Sequence, residues 1–295
     1  MSDDTRASGT AAIGIALVLF GSASMAMVPT FAKLALDSGT SLLTVITIRG
    51  VIGAAIMGGL LVVLGNGFQA PRGVLLLCLL SGLCYTAMSY GLIGAVAYIP
   101  VSLMLLIFFI HPIIVALVHH YRGETTLTLS KVALIVAVFA GLGFALGPDL
   151  STLNPFGIAL AILAAVSVTG MIFLNARAQR EAGSTLITFY MTLVTLVIFG
   201  PATTASGAWV FPATSIGWAG LAGTGLGLGF GLLAYFAAFR FIGPVRTSVI
   251  STVEPLFGIL FAVAVLGEAL GPWQWIGVVV VITALVLFEM PQREN

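Results

Sequence analysis

One carboxylate stands inside an apolar run near the end of this chain, Glu254, with Pro255 directly after it. Thr247, Ser251 and Glu254 fall at i, i+4 and i+7, a single polar stripe on an otherwise apolar helix face. In lipid such a charge costs roughly 2.5–3.5 kcal/mol on insertion scales, so it must face protein or water. It can cap backbone groups freed by Pro255, or meet a cation, either a substrate ammonium or a coupling proton. His111 precedes Pro112 in the same way and shares a face with Phe108 and Met104. Its imidazole is either a satisfied core group or a second titratable wall of the same site. The two residues fall at similar depth, which anticipates a charged pair near neutral pH. Arg49 lies about two turns inside its segment. It either snorkels, as Lys33 does beside Asp37, or attracts carboxylates. Tyr85 and Tyr235 stand away from segment ends, Tyr85 on one face with Cys78, Ser81 and Ser89. A buried phenol needs a partner, so these tyrosines bond between helices or line a pocket.

The expected site is therefore Arg49, Tyr85, Phe108, His111, Tyr235, Ser251 and Glu254, and its chemistry is binding. The chain has no H-E-x-x-H, no G-x-S-x-G and no Cys/His cluster, so neither a catalytic centre, a metal nor a cofactor is expected. An intramembrane enzyme is thus the weaker alternative, while a channel differs from a carrier in kinetics that sequence does not encode. Gly223, Gly225, Gly227, Gly229 and Gly231 contain overlapping G-x-x-x-G pairs, which suit close helix packing. Without G-x-x-x-x-G-K-[S/T] they are no phosphate loop.

The elements that hold these residues follow from composition. Of 295 residues 60% are hydrophobic and 7% charged, in long apolar blocks with short polar breaks. Soluble domains carry roughly a quarter charged residues. A hydrocarbon core is crossed by about 20 apolar residues as a helix, and no period-2 alternation supports a barrel. Ten spans are expected: 11–36, 42–64, 73–94, 98–119, 130–147, 155–176, 185–207, 216–239, 245–266 and 272–289. Pro29, Pro112 and Pro255 fall inside three of them and should kink them. Turn signals separate the others, among them Gly147-Pro148-Asp149, Gly243-Pro244 and Gly271-Pro272. The lipid bilayer is the main partner. A net charge of +1 gives no reason to expect nucleic acid, and no obligate protein partner is expected. MSDDTRASGT is a poor match to a basic signal-peptide start, so the first span is expected to stay.

Ten spans put both termini on one face. Arg6, Arg72, Arg122, Lys131, Arg177, Arg180, Arg240, Arg246 and Arg293 fall on that face, against Lys33 and Arg49 on the other. The positive-inside rule then makes the termini cytoplasmic. Trp209, Trp218, Trp273 and Trp275 all fall near span ends on the opposite face, as an interfacial belt would. The chain also repeats itself: Pro100, His111-Pro112 and Glu124 recur as Pro244, Glu254-Pro255 and Glu268, with 24 residues from proline to glutamate each time. Two five-helix halves follow, 1–150 and 151–295. Five being odd, the second enters from the opposite face, an inverted repeat of the kind that carries midplane sites in transporters.

Ser248 to Gly258, then Leu266-Gly267-Glu268 and Gln274-Trp275-Ile276-Gly277, resemble the signature of the EamA branch of the drug/metabolite transporter superfamily. Taken end to end, the chain also resembles bacterial exporters of aromatic amino acids within that branch. The resemblance implies ten helices, export of a small molecule across the bacterial inner membrane and a central cavity between the halves. Protons are the candidate coupling ion. His111 departs from its repeat counterpart Glu254, which affects any proton linkage the resemblance implies.

Overall fold

A backbone surrounded by lipid must pair its polar groups within each segment. The computed structural model accordingly consists of helices, with no strand among the residues it describes, 2–65, 67–123, 128–146, 154–251 and 253–289. They are α1 (Ser2–Asp37), α2 (Leu42–Val63), α3 (Arg72–Ala95), α4 (Val101–Phe108), α5 (His111–Tyr121) and α6 (Leu129–Leu146). The second half adds α7 (Pro155–Ala178), α8 (Ser184–Ala205), α9 (Ser215–Ser251), α10 (Glu254–Leu266) and α11 (Pro272–Glu289). Seven stretches are long and apolar enough to cross a membrane, α4 and α5 together forming one. Shorter apolar helices at Leu129–Phe144, Glu254–Leu266 and Pro272–Phe288 supply the rest, one for each of the ten expected spans.

The packing shows the repeat directly. Exchanging each span for the one five places on turns the α1·α9 seam into α3·α7, α2·α9 into α3·α8, and α1·α10 into the packing of α4 and α5 on α7; all six seams are present. The contacts α2·α8, α6·α11 and α4·α10 are their own images and lie where a pseudo-two-fold would cross the molecule. The fold is a ten-helix bundle of two inverted five-helix repeats.

Glycine sets how closely the seams approach. A Cβ on Gly91 of α3 would stand 2.5 Å from Leu160 O of α7, and one on Gly227 of α9 would stand 2.7 Å from Ser24 O of α1. The α9 glycines serve two neighbours: Gly223, Gly227 and Gly231 abut α1, while Gly225 and Gly229 abut Ile52 and Ile56 of α2.

Two expectations change. The fourth span, expected as one helix over 98–119, is split into α4 and α5, because Pro112 can neither donate to Phe108 O nor fit against it. Pro112 instead occupies the first turn of α5, where a missing N–H costs nothing, and Pro255 does the same in α10. The ninth span likewise is not one kinked helix over 245–266: α9 runs without interruption past Gly243 and Pro244 to Ser251, and α10 starts at Glu254. Pro is tolerated within membrane helices where neighbours satisfy the freed groups. Pro29 lies inside α1, which continues through it. Glu124 and the segment 147–153 lie outside the described residues, as does the C-terminal Arg293.

Candidate functional site

Both helix breaks open on one cavity of ≈ 510 Å³. Arg49 from α2, Tyr85 from α3, Phe108 and His111 from the first break, and Ser251 and Glu254 from the second all line it. So do Pro29, Pro112 and Pro255, which places three prolines around one space, two of them at the helix breaks. Tyr235, expected in the same lining, is not there. Its backbone amide lies 3.2 Å from where a Cβ on Gly21 would stand, so this part of α9 belongs to the α1 seam. The rotation of α9, fixed by its glycines, is what carries Tyr235 away. Met104, expected beside His111, is completely buried and outside the lining.

The two breaks differ in their polar bonds. His111 Nδ1 lies 3.1 Å from Phe108 O, the carbonyl that an N–H at Pro112 would have used. A carbonyl only accepts, so Nδ1 carries the proton and donates, leaving Nε2 as the remaining acceptor. The Glu254 carboxylate has no hydrogen-bond or ion-pair partner among the described residues. The anticipated His111–Glu254 charged pair is therefore absent from this arrangement: Lys33–Asp37, at 3.1 Å and partly exposed, is the ion pair found among the described residues.

Arg49 does not snorkel. It is 3% exposed, and its Nη2 donates to Ser89 Oγ at 2.6 Å and to Tyr85 OH at 3.3 Å. Its guanidinium carbon also lies 5.7 Å from the centre of the Tyr85 ring. The shared face of α3 thus divides: Tyr85 and Ser89 hold Arg49, while Ser81 donates to Asn175 Oδ1 of α7 at 2.6 Å.

Residues that sequence reasoning passed over complete the site. Asn175 and Gln179, one turn apart at the end of α7, and Ser184 and Thr188 at the start of α8, line its mouth. Gln179 is exposed, so the cavity reaches the face that carries the termini. A carboxamide pair at i and i+4 closing an apolar helix was a legible signal. Four methionines from four helices, Met25, Met88, Met171 and Met191, supply soft walls to the same cavity.

The opposite face is closed by bonds between repeats. Ser41 and Thr44 hydroxyls donate to Ala208 O, and Ala213 N donates to Ser38 O. Glu268, after α10, accepts from Val101 N at 2.6 Å, and from Ser102 N at 3.1 Å and Ser102 Oγ at 2.7 Å, capping α4. Trp209 and Trp218 flank Phe211 there in stacked contacts and stay exposed.

Among known proteins, the chain is similar to an uncharacterized transporter encoded in the cobO 3′ region of a Sinorhizobium species, 29% identical over 112 residues. That match covers 37% of this chain and 79% of the relative. A protein of known crystal structure, 19% identical, shares the fold with a TM-score of 0.63 over 94% of this chain and 95% of its own. The model of the EamA-like transporter family matches twice, over residues 12–147 and 155–290, once for each repeat that the packing reveals. With two family units related by a pseudo-two-fold around a cavity, the chain belongs to the EamA-like transporter family and is a membrane transporter.

Proposed function

We propose that the protein exports small amphipathic metabolites from the bacterial cytoplasm, amino acids and aromatic ones first, by alternating access around the central cavity. The observation that carries this reading is the cavity itself. It lies where the two helix breaks meet, is lined mainly by apolar and aromatic side chains, and holds a guanidinium and a carboxyl group, Arg49 and Glu254, that do not pair with each other. A zwitterion with an apolar body matches that distribution. The charge bias of the loops supports cytoplasmic termini in the inner membrane. On that orientation the structure is open to the cytoplasm and closed outward, the state in which an exporter loads. Rocking the repeats about their pseudo-two-fold would open the Ser41–Ala208 side and shut the Gln179 mouth.

The test is purified protein in liposomes loaded with labelled Phe, Tyr, Trp, a nucleoside and a sugar, with and without a pH gradient. Saturable efflux of the aromatic amino acids, competed by one another, is the expected result. Efflux of the nucleoside or sugar in their place would overturn the substrate assignment, and a rate that never saturates would indicate a channel.

A further inference from the structure

The export reading leaves open how a substrate is oriented in the cavity, and the inference here rests on that reading. We infer that Arg49 and Tyr85 form the subsite for a substrate carboxylate, so that recognition requires a free monocarboxylate. Arg49 is 97% buried by its 3% exposure, lies at the closed end of the cavity and faces no carboxylate within ion-pair distance among the described residues. A guanidinium presents five N–H donors, and the two bonds found here both use Nη2. Nη1 and Nε keep their donors. A cation in this position, left without a counter-charge, is costly inside a membrane protein, and such residues mark substrate paths.

Tyr85 supplies the second half of the subsite. Its hydroxyl oxygen accepts from Arg49, which leaves its own proton to donate, and no acceptor for that proton occurs among the described residues. The residue is 7% exposed and lines the cavity. Ser89 anchors the guanidinium from behind at 2.6 Å and is itself absent from the lining, so it is a positioning residue. The cation–π contact with the Tyr85 ring fixes the plane of the group from a further side. The result is a fork with free donors next to a phenolic O–H, the geometry that accepts a carboxylate through two parallel bonds. The methionine and phenylalanine walls then take the apolar body of the ligand, and the rest of the molecule points toward the Asn175–Gln179 mouth.

The experiment measures ligand-induced thermal stabilisation and affinity of the full chain in nanodiscs, using acid and amide pairs: phenylalanine with phenylalaninamide, leucine with leucinamide, and 3-phenylpropionate with its amide. Each acid should bind about 10- to 100-fold more tightly than its amide, the range for losing charge-assisted hydrogen bonds. Arg49→Gln should erase that preference, Arg49→Lys should keep part of it, and Tyr85→Phe should reduce it several-fold while leaving the melting temperature near that of wild type. Equal binding of acid and amide, no binding of any acid, or a preference that survives in Arg49→Gln would each overturn the proposal. Should Arg49→Gln fail to fold, the Tyr85→Phe and Arg49→Lys series decides by the same ratio. The two readings fail separately: acids that bind through Arg49 without amino acids being exported would sink the export reading alone. Export of amino acids and their amides at equal rates would sink the subsite alone.

Discussion

In the first repeat the break between α4 and α5 is closed by its own side chain, since His111 returns a proton to the carbonyl that Pro112 cannot serve. In the second repeat the break before α10 presents Glu254 to the same cavity with no partner among the described residues to hold its carboxylate. Repeat symmetry supplied two equivalent positions, and the side chains differ: one secures a backbone and the other presents a carboxyl group to the cavity. What this teaches is that a residue beside a membrane proline can return a donor to the carbonyl four residues before that proline, as His111 does, whereas a carboxylate, which only accepts, cannot. The comparison leads us to propose Glu254 as the member of the pair that meets substrate or a proton, and His111 as the one that holds the backbone.

The sharpest test of that division is Glu254→Gln. The amide keeps the shape and can still donate and accept, so a capping role would leave transport intact. A charge-contacting role predicts a loss of about 10- to 100-fold in efflux rate, the cost of removing one charge-assisted contact, at unchanged folded yield. Efflux at the wild-type rate from normally folded Glu254→Gln would collapse the distinction between the two breaks.

The seams should behave alike where the breaks do not. Gly91→Leu would drive a side chain into Leu160 O, and Gly227→Leu would drive one into Ser24 O. Each should destabilise the fold by about 1–3 kcal/mol, read as lower melting temperature and lower yield in nanodiscs. Gly59, which has nothing within 4 Å of its would-be Cβ, serves as the control: Gly59→Ala should melt no lower than wild type. A large difference between the two seam variants would show that the repeats are less equivalent in packing than the pairing pattern implies.

Glu268 makes a smaller, one-sided contribution. Its carboxylate caps the start of α4 across the repeat boundary through three hydrogen bonds. Glu268→Ala should cost about 1–2 kcal/mol, the upper range for losing a helix cap. It should also make a cysteine placed near Ser102 more reactive to an impermeant reagent on intact cells. Unchanged labelling together with unchanged stability would show that these three bonds do not hold the start of α4 to the second repeat.

The spans were legible because apolar length and proline positions are local properties of the chain. The inverted repeat was legible through the spacing from Pro100 to Glu124 and from Pro244 to Glu268. Rotation of a helix about its axis was not. Tyr235 and Tyr85 look alike in sequence, both mid-span phenols, yet one sits at the α1 seam and the other holds Arg49. That difference depends on which glycine face α9 turns to α1, a tertiary fact. The role of Glu268 was illegible for the same reason: its partners lie 166 and 167 residues away.

The smallest expected effect belongs to His111, and it closes the comparison. His111→Phe keeps an aromatic ring that can still pack against Phe108 and Phe109, whose rings lie 5.1 and 5.7 Å from the imidazole. The substitution removes Nδ1–H and leaves Phe108 O without its donor. An unsatisfied carbonyl at a cavity edge costs about 1 kcal/mol, less than in a dry core because water in the cavity can take over part of the bond. Melting temperature should therefore fall modestly, while efflux per folded molecule stays within about twofold of wild type, since no step is assigned to this ring. His111→Asn, whose amide N–H can reach toward the same carbonyl, should recover part of the stability. Melting curves and liposome efflux on the same preparations check both statements. A His111→Phe protein that is stable yet transports as poorly as Glu254→Gln would show that the imidazole acts on the substrate, and the two breaks would then be chemical equals.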